Sequence, residues 1–469
     1  MWHDTYLKVV LQPDYDYASE HLLPHLFDAL SAHALMLDGC GVAHAGEAAG
    51  LLRELRRQPF PAYDPGVEDV FFTLDRALAG RNADAAGALR TALSRNDLDM
   101  TLYRLSARLR LMRAMERVLR LRRTLLDLAE REIDTVIVAY THHQPAQPTT
   151  LAHYLTAVEN VLARDTARMV GAMTHLNLSP MGAVALGGTS FPIDRTRTAE
   201  LLAFDRPIEN TYDAVSASDW QVEIASVITV VSTTLSRVLY DLLFWASRGL
   251  LSLEDGLVQG SSVMPQKRNP VALEHARTKF SKAIGVTQSV IISSHNVPFG
   301  DINDPGPDMQ PPLTSMWHDF RDGLELLIAS LTNPTLNREE WLREAQQGES
   351  VVTELADVIA RNTGCGFRDA HAHVGALLDH LHHQGRAVST LMAADLAAVG
   401  LHLPEAEVQS ALNPAEFIAR RTTFGGPAPS VMAGEIAAAR TRLDTDFTHH
   451  ASLSTRFADA RTHLVGGSI

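Results

Sequence analysis

Eleven residues, Gly260–Pro270 (GSSVMPQKRNP), place two serine hydroxyls, two side-chain amides and two cations on one short segment bounded by Gly and Pro. Three further polar clusters interrupt apolar stretches: SRND (Ser94–Asp97), THHQPAQPTT (Thr141–Thr150) and SPMGAVALGGTSFPIDR (Ser179–Arg195). Together they offer hydroxyls, amides, His, Lys and Arg. These groups recognise carboxylates: Arg by paired hydrogen bonds, Lys by charge, Ser, Thr and Asn by hydrogen bonding. The sequence has no Gly-rich phosphate loop after a strand, no G-x-S-x-G elbow and no H-E-x-x-H helix. The inventory points to proton transfer beside a carboxylate of a small anionic substrate, with no cofactor and no metal. Each cluster also has a plainer reading. Ser94 with Asp97 fits a helix N-cap, Thr141–Thr150 a Pro-rich helix start, and the glycines after Ser179 a turn.

Long segments free of Gly and Pro must hold these clusters. Asp97–Glu132 and Val215–Arg248 each predict a continuous helix of about 50 Å at 1.5 Å per residue. Within the second, Ile224, Val227, Val231, Leu235, Val238 and Leu242 recur at spacings of 3 and 4, a helical seam widened by Ile228, Val230 and Leu239. A helix apolar on several sides needs cover on several sides, which suits a thick bundle shared between subunits. A membrane span is the competing reading of Ile224–Ala246, but it would place Arg237 and Asp241 in hydrocarbon at about 2.5–3.5 kcal/mol each. Ala272–Asn296 predicts a third long helix. RQPFPAYDPG (Arg57–Gly66) and NVPFGDINDPGPDMQPP (Asn296–Pro312) read as shaped loops, and DTVIVAY (Asp134–Tyr140) as the best strand. Beyond about residue 343 the composition predicts shorter Ala/Leu helices, among them HAHVGALLDHLHHQGR, a surface helix with solvated histidines. The fold class is mainly α.

The 469 residues carry a net charge of −14, against the basic surface that nucleic acid requires, and have only two cysteines, Cys40 and Cys365. The first residues lack the basic start and apolar run of a signal peptide, the pattern of a soluble cytoplasmic protein.

GSSVMPQKRNP resembles, almost letter for letter, the signature loop of the aspartase/fumarase superfamily. SRND, THHQPAQP, SPMGAVALGGTSFPIDR and NTYDAVSASDW (Asn210–Trp220) are similar in order and spacing to argininosuccinate lyase blocks. ALSAHALML (Ala29–Leu37), GFRDAHAHVG (Gly366–Gly375) and FIARRTTFGG (Phe417–Gly426) extend the likeness over nearly the whole chain. The resemblance implies three mostly helical domains, here 1–94, 95–343 and 344–469, with long central helices bundled in a homotetramer and each active site built from three subunits. It implies reversible elimination of fumarate from an N-substituted aspartate, such as argininosuccinate or a diamine disuccinate. Ser261 would be the base. Lys267 and Asn269 would hold the carboxylate and its developing charge. Thr141, His142 and Gln144 come from a second block, with His142 paired to Glu274 to move the leaving-group proton. Ser94, Arg95 and Asn96 would position the succinyl moiety, and His143 would sit behind the site. An adenylosuccinate lyase, suggested by QPAQPTT, and a non-catalytic crystallin-like homologue are the alternatives.

The sequence departs from argininosuccinate lyases on the amine side. Their YNRDLQEDK-type block becomes DINDPGPDM (Asp301–Met309), so that Asp301, Gly306 and Met309 stand where Tyr, Gln and Lys are usual. Leu98 replaces the Gln after SRND, and the WGGRF-like N-terminus is missing. Asp301 would then face the amine, favouring one with more positive and less carboxylate character than arginine.

Overall fold

The computed structural model describes residues 2–466, of which the great majority are helical, giving the mainly α fold. Helix α1 (Leu23–Gly39) belongs to an N-terminal helical layer. Helix α2 (Arg95–Arg131) runs without a break for about 55 Å. Ser94 and Asp97 close a capping box at its start. A hairpin follows, β1 (Val136–Thr141) against β2 (Gln144–Thr150), and leads into α3 (Leu151–Leu176). Next come α4 (Asp219–Ser247), a two-residue ribbon of β3 (Gln259–Gly260) and β4 (Arg268–Asn269), α5 (Val271–Ser294) and α6 (Gln310–Thr332). Helices α2 to α6 pack on one another as a bundle.

The six seam residues of α4, Ile224 to Leu242, are all buried, together with Ile228 and Leu239. Helix α4 is long and apolar enough to cross a membrane, yet half of that apolar stretch is buried against α3 and α5. Val230 and Tyr240 on α4, and Ile291 and Ile292 on α5, stay exposed. At the centre of the bundle Arg122 of α2 donates to Glu159 of α3 at 2.8 Å, both fully buried, and Arg122 also reaches Asp446 at 2.6 Å.

Three elements differ from the sequence expectation. Val215–Arg248 is not continuous: Thr211–Ser216 is a separate turn of helix, and extended Ala217 breaks the run before α4. No Gly or Pro signals this break; the kink delivers Trp220, 1% exposed, beneath the Arg104 guanidinium 5.0 Å from its ring. Thr141–Thr150 is the end of β1, a turn and all of β2, not a helix start. His142 and His143 both take positive φ (52° and 61°), the two-residue turn that matches strand twist, and a lone ribbon has outer edges where Pro145 and Pro148 need donate nothing.

The third difference is at the C-terminal end. The short helices after residue 343 include α7 (Val352–Thr363) and α8 (Phe367–His383), which build a small core of their own with Leu355, Val374, Leu377 and Val408. His371, His382 and His383 point outward from α8. The chain then forms α9 (Pro429–Gly466), 38 residues long, which returns to pack on α1, α2 and α3.

Candidate active site

The ribbon β3–β4 carries residues 261–267 as an exposed loop leading straight into α5. Gly260 pairs with Arg268 and Gln259 with Asn269, so the ribbon fixes both ends of the loop. Inside it the backbone N–H groups of Val263 and Met264 donate to Ser261 Oγ at 3.2 and 3.0 Å. Two amide donors on one hydroxyl oxygen stabilise negative charge there and leave its own proton free to be passed on. Lys267 is exposed and has no ion pair among the described residues, whereas neighbouring Arg268 is held by Asp255. Asn269 is part-buried. Glu274 lies exposed in the first turn of α5.

The second group sits at the hairpin tip. Thr141 pairs in register with Gln144 across the His142–His143 turn, and all four are exposed. His143 packs edge-on against Tyr240 of α4, ring centroids 6.0 Å apart. His142 makes no hydrogen bond among the described residues and does not meet Glu274 within the chain. The pair the resemblance implies is therefore absent from a single subunit.

The third group is at the start of α2. Ser94 Oγ donates to Asn96 Oδ1 at 2.6 Å and accepts from Asn96 N at 3.3 Å. Asn96 Nδ2 donates to Asp301 Oδ2, so two candidates 205 residues apart meet directly. Arg95 differs from expectation. Its guanidinium is clamped by Asp69 and by Asp99, the latter at 2.8 Å, so it ties the helix Val70–Ala79 to α2 instead of standing free for a substrate. The departures on the amine side also take physical form. Met309 is 1% exposed and Leu98 fully buried, so both are core positions. A Cβ at Gly306 would lie 2.8 Å from the carbonyl oxygen of Ile302, so a glutamine there requires a different backbone.

Two positioning residues escape the sequence reading. Asp97, fully buried, accepts from Ser94 N at 3.1 Å and from Gly182 N at 2.7 Å, locking the SRND turn to the SPMGA segment. Burial pushes its carboxyl up to about 6, against the pull of the backbone donors. Gln221, also fully buried, donates to Pro305 O at 3.0 Å and pins the loop that carries Asp301, while Tyr212 stacks on Phe299 of that loop. Asp97 was legible only as a cap, and Gln221 only as a lone amide in an apolar helix.

A family model described as lyase matches residues 68–285, and one described as argininosuccinate lyase C-terminal matches residues 349–419. Argininosuccinate lyase 2 of Agrobacterium fabrum is 35% identical, covering 98% of this chain and 96% of its own. Argininosuccinate lyase of Methanoculleus marisnigri is 34% identical, covering 92% of this chain and 90% of its own. Among solved structures, EDDS lyase in complex with formate superimposes with a TM-score of 0.88 at 26% identity, covering 97% of this chain and 94% of that one. These matches cover nearly the whole chain, and the chain belongs to the argininosuccinate lyase family of the aspartase/fumarase superfamily.

Proposed function

We propose that the protein is a carbon–nitrogen lyase that reversibly releases fumarate from an N-substituted aspartate, with Ser261 as the base. The observation that carries this reading is the pair of backbone amides on Ser261 Oγ, in a loop whose Lys267 has no ion pair among the described residues. Serine is a poor base in water, so its alkoxide needs fixed donors and a nearby cation. In the proposed step Ser261 takes the proton from the carbon next to a carboxylate. Lys267 and Asn269 stabilise the charge that spreads onto that carboxylate. The C–N bond then breaks, and the leaving nitrogen receives a proton from the His142–Glu274 pair.

That pair must form between subunits, because one chain keeps the two residues apart. The exposed apolar residues Val230, Tyr240, Ile291 and Ile292 on α4 and α5 support a homotetramer in which hairpin, loop and α2 start come from different chains. Thr141, Gln144, Ser94 and Asn96 would hold the succinyl half. Asp301, held beside Asn96, supports an amine carrying positive charge. Relatives named for argininosuccinate and for EDDS differ in that half, so the amine is settled by experiment. Fumarate incubated with a panel of amines, read by mass spectrometry, is expected to give adducts with cationic amines. Argininosuccinate turned over with a kcat/KM of about 10⁴ M⁻¹s⁻¹ or more, and faster than any other adduct, would overturn the specificity reading; no fumarate chemistry with any amine would overturn the lyase reading itself.

A further inference from the structure

A cavity of about 830 Å³ lies between α1, the middle of α2 and the end of α9. Its volume is in the range of small-molecule sites, roughly 300–1,000 Å³. Arg108, on its wall, is twelve residues along α2 from Asn96, about 18 Å away at helical rise. The walls are mostly apolar, with Leu23, Phe27, Leu105, Leu109, Met112 and Leu202 among them.

Arg108 is only 8% exposed, and no carboxylate lies within ion-pair distance of it among the described residues. Its guanidinium carbon lies over the rings of Phe204 and Phe457, 5.1 and 4.1 Å from their centroids. Nη1 donates to Asn177 Oδ1 and Ala203 O, and Nη2 to Leu202 O. Of five N–H donors, Nε–H and one on Nη2 are left without a protein acceptor among the described residues. Nε and Nη2 share the edge that a carboxylate grips with two parallel bonds.

The rest of the wall adds positive charge. Arg56 and Arg461 line the cavity, and the one carboxylate they share is Asp28. His25, also on the wall, is held at about 3, by burial first and then by Arg108, Arg461, Arg110 and Arg56, a local gauge of the positive potential. Asp28 and Asp205 act on Arg108 only from beyond ion-pair distance, so an anion seated in the cavity would offset the desolvation of a buried guanidinium that no described carboxylate pairs with.

We propose that this cavity is a second binding site, separate from the lyase site, for a small molecule with an apolar body and a single carboxylate that pairs with Arg108. It does not rest on the reaction proposed above. The test is calorimetric titration of the whole protein with octanoate, 1-octanol and octylamine, which share one chain length and differ in head-group charge. The expected result is one octanoate per chain, bound at least about tenfold more tightly than the other two, the worth of one charge-assisted pair. Arg108→Met is expected to erase that preference. Ala458→Trp, on α9 at the cavity wall, is expected to abolish binding while circular dichroism and fumarate release stay unchanged. Absence of octanoate binding, equal affinity for the three probes, or undiminished binding in Ala458→Trp overturns the proposal. If Arg108→Met fails to fold, the head-group series and Ala458→Trp still decide it.

Discussion

At the scale of single residues, the proposed chemistry concentrates on Ser261. It occupies an exposed loop with only two backbone donors to lose, so Ser261→Ala is expected to keep the native fold by circular dichroism. Fumarate release, followed by ultraviolet absorbance, is expected to fall by about 10²–10⁴-fold, the usual share of a general base. A tenth of the rate remaining would remove Ser261 from that role. Asp97 makes a prediction of a different kind. Its folded-state value of about 6 lies above the ordinary carboxylate value of 3.8, so the folded protein binds the proton more tightly. The contribution is present below pH 4 and is lost as pH rises through 6. Asp97→Asn disturbs the bonds from Ser94 N and Gly182 N at every pH but lacks this titration. Its destabilisation relative to wild type, from urea midpoints, is therefore expected to shrink between pH 4 and pH 7. The resemblance named Ser261, Lys267, Asn269 and Asn96 directly because they lie in contiguous blocks. The clamp on Arg95 was not legible, since Asp69 is 26 residues away and only the folded chain brings it there.

At the scale of elements, the long helices were readable because Gly and Pro are absent from them, and the α4 seam because its spacing is strict. The Ala217 break was not, since burial of Trp220 overrides local propensity. Helix α9 was not either: only Met432, Ile436, Ala439, Leu443 and Leu464 are buried among its 38 residues, so its stripe is thin against an Ala, Thr and His background. The tie that holds α2, α3 and α9 together is polar. Arg122 bonds Glu159, Thr166 and Asp446 with its side chain fully buried. Glu159→Ala would leave the buried Arg122 with Asp446, itself one-third exposed, as its remaining carboxylate, and a loss of about 3 kcal/mol, the lower end for a broken buried pair, is expected by chemical unfolding. Arg122→Met combined with Glu159→Leu removes both charges at similar volume and is expected to recover most of the loss. A double variant no better than the single one would mean that the hydrogen bonds to Thr166 and Asp446 carry the junction.

At the scale of the whole molecule, one chain presents its candidate residues on three separate surfaces, and among the described residues Asn96 and Asp301 are the candidates from distant segments that hydrogen-bond to each other. If sites are completed by neighbouring subunits, Ser261→Ala and His142→Asn proteins, each inactive alone, are expected to regain part of the activity when unfolded together and reassembled. Some mixed sites would then carry neither lesion. No recovery in hybrids shown to have formed, or a monomer by light scattering, would remove the shared-site arrangement. The placement of the Ser261 loop has a further consequence, for digestion. Val263 is 83% exposed at the loop tip, while the cores before and after it interlock: α2 and α3 precede the loop, α5 and α6 follow it, and all belong to one bundle. A single cut there severs the covalent chain at a point where no packing depends on continuity. The nicked enzyme should migrate as two bands in detergent and as one species in native buffer, still folded yet silent toward substrate.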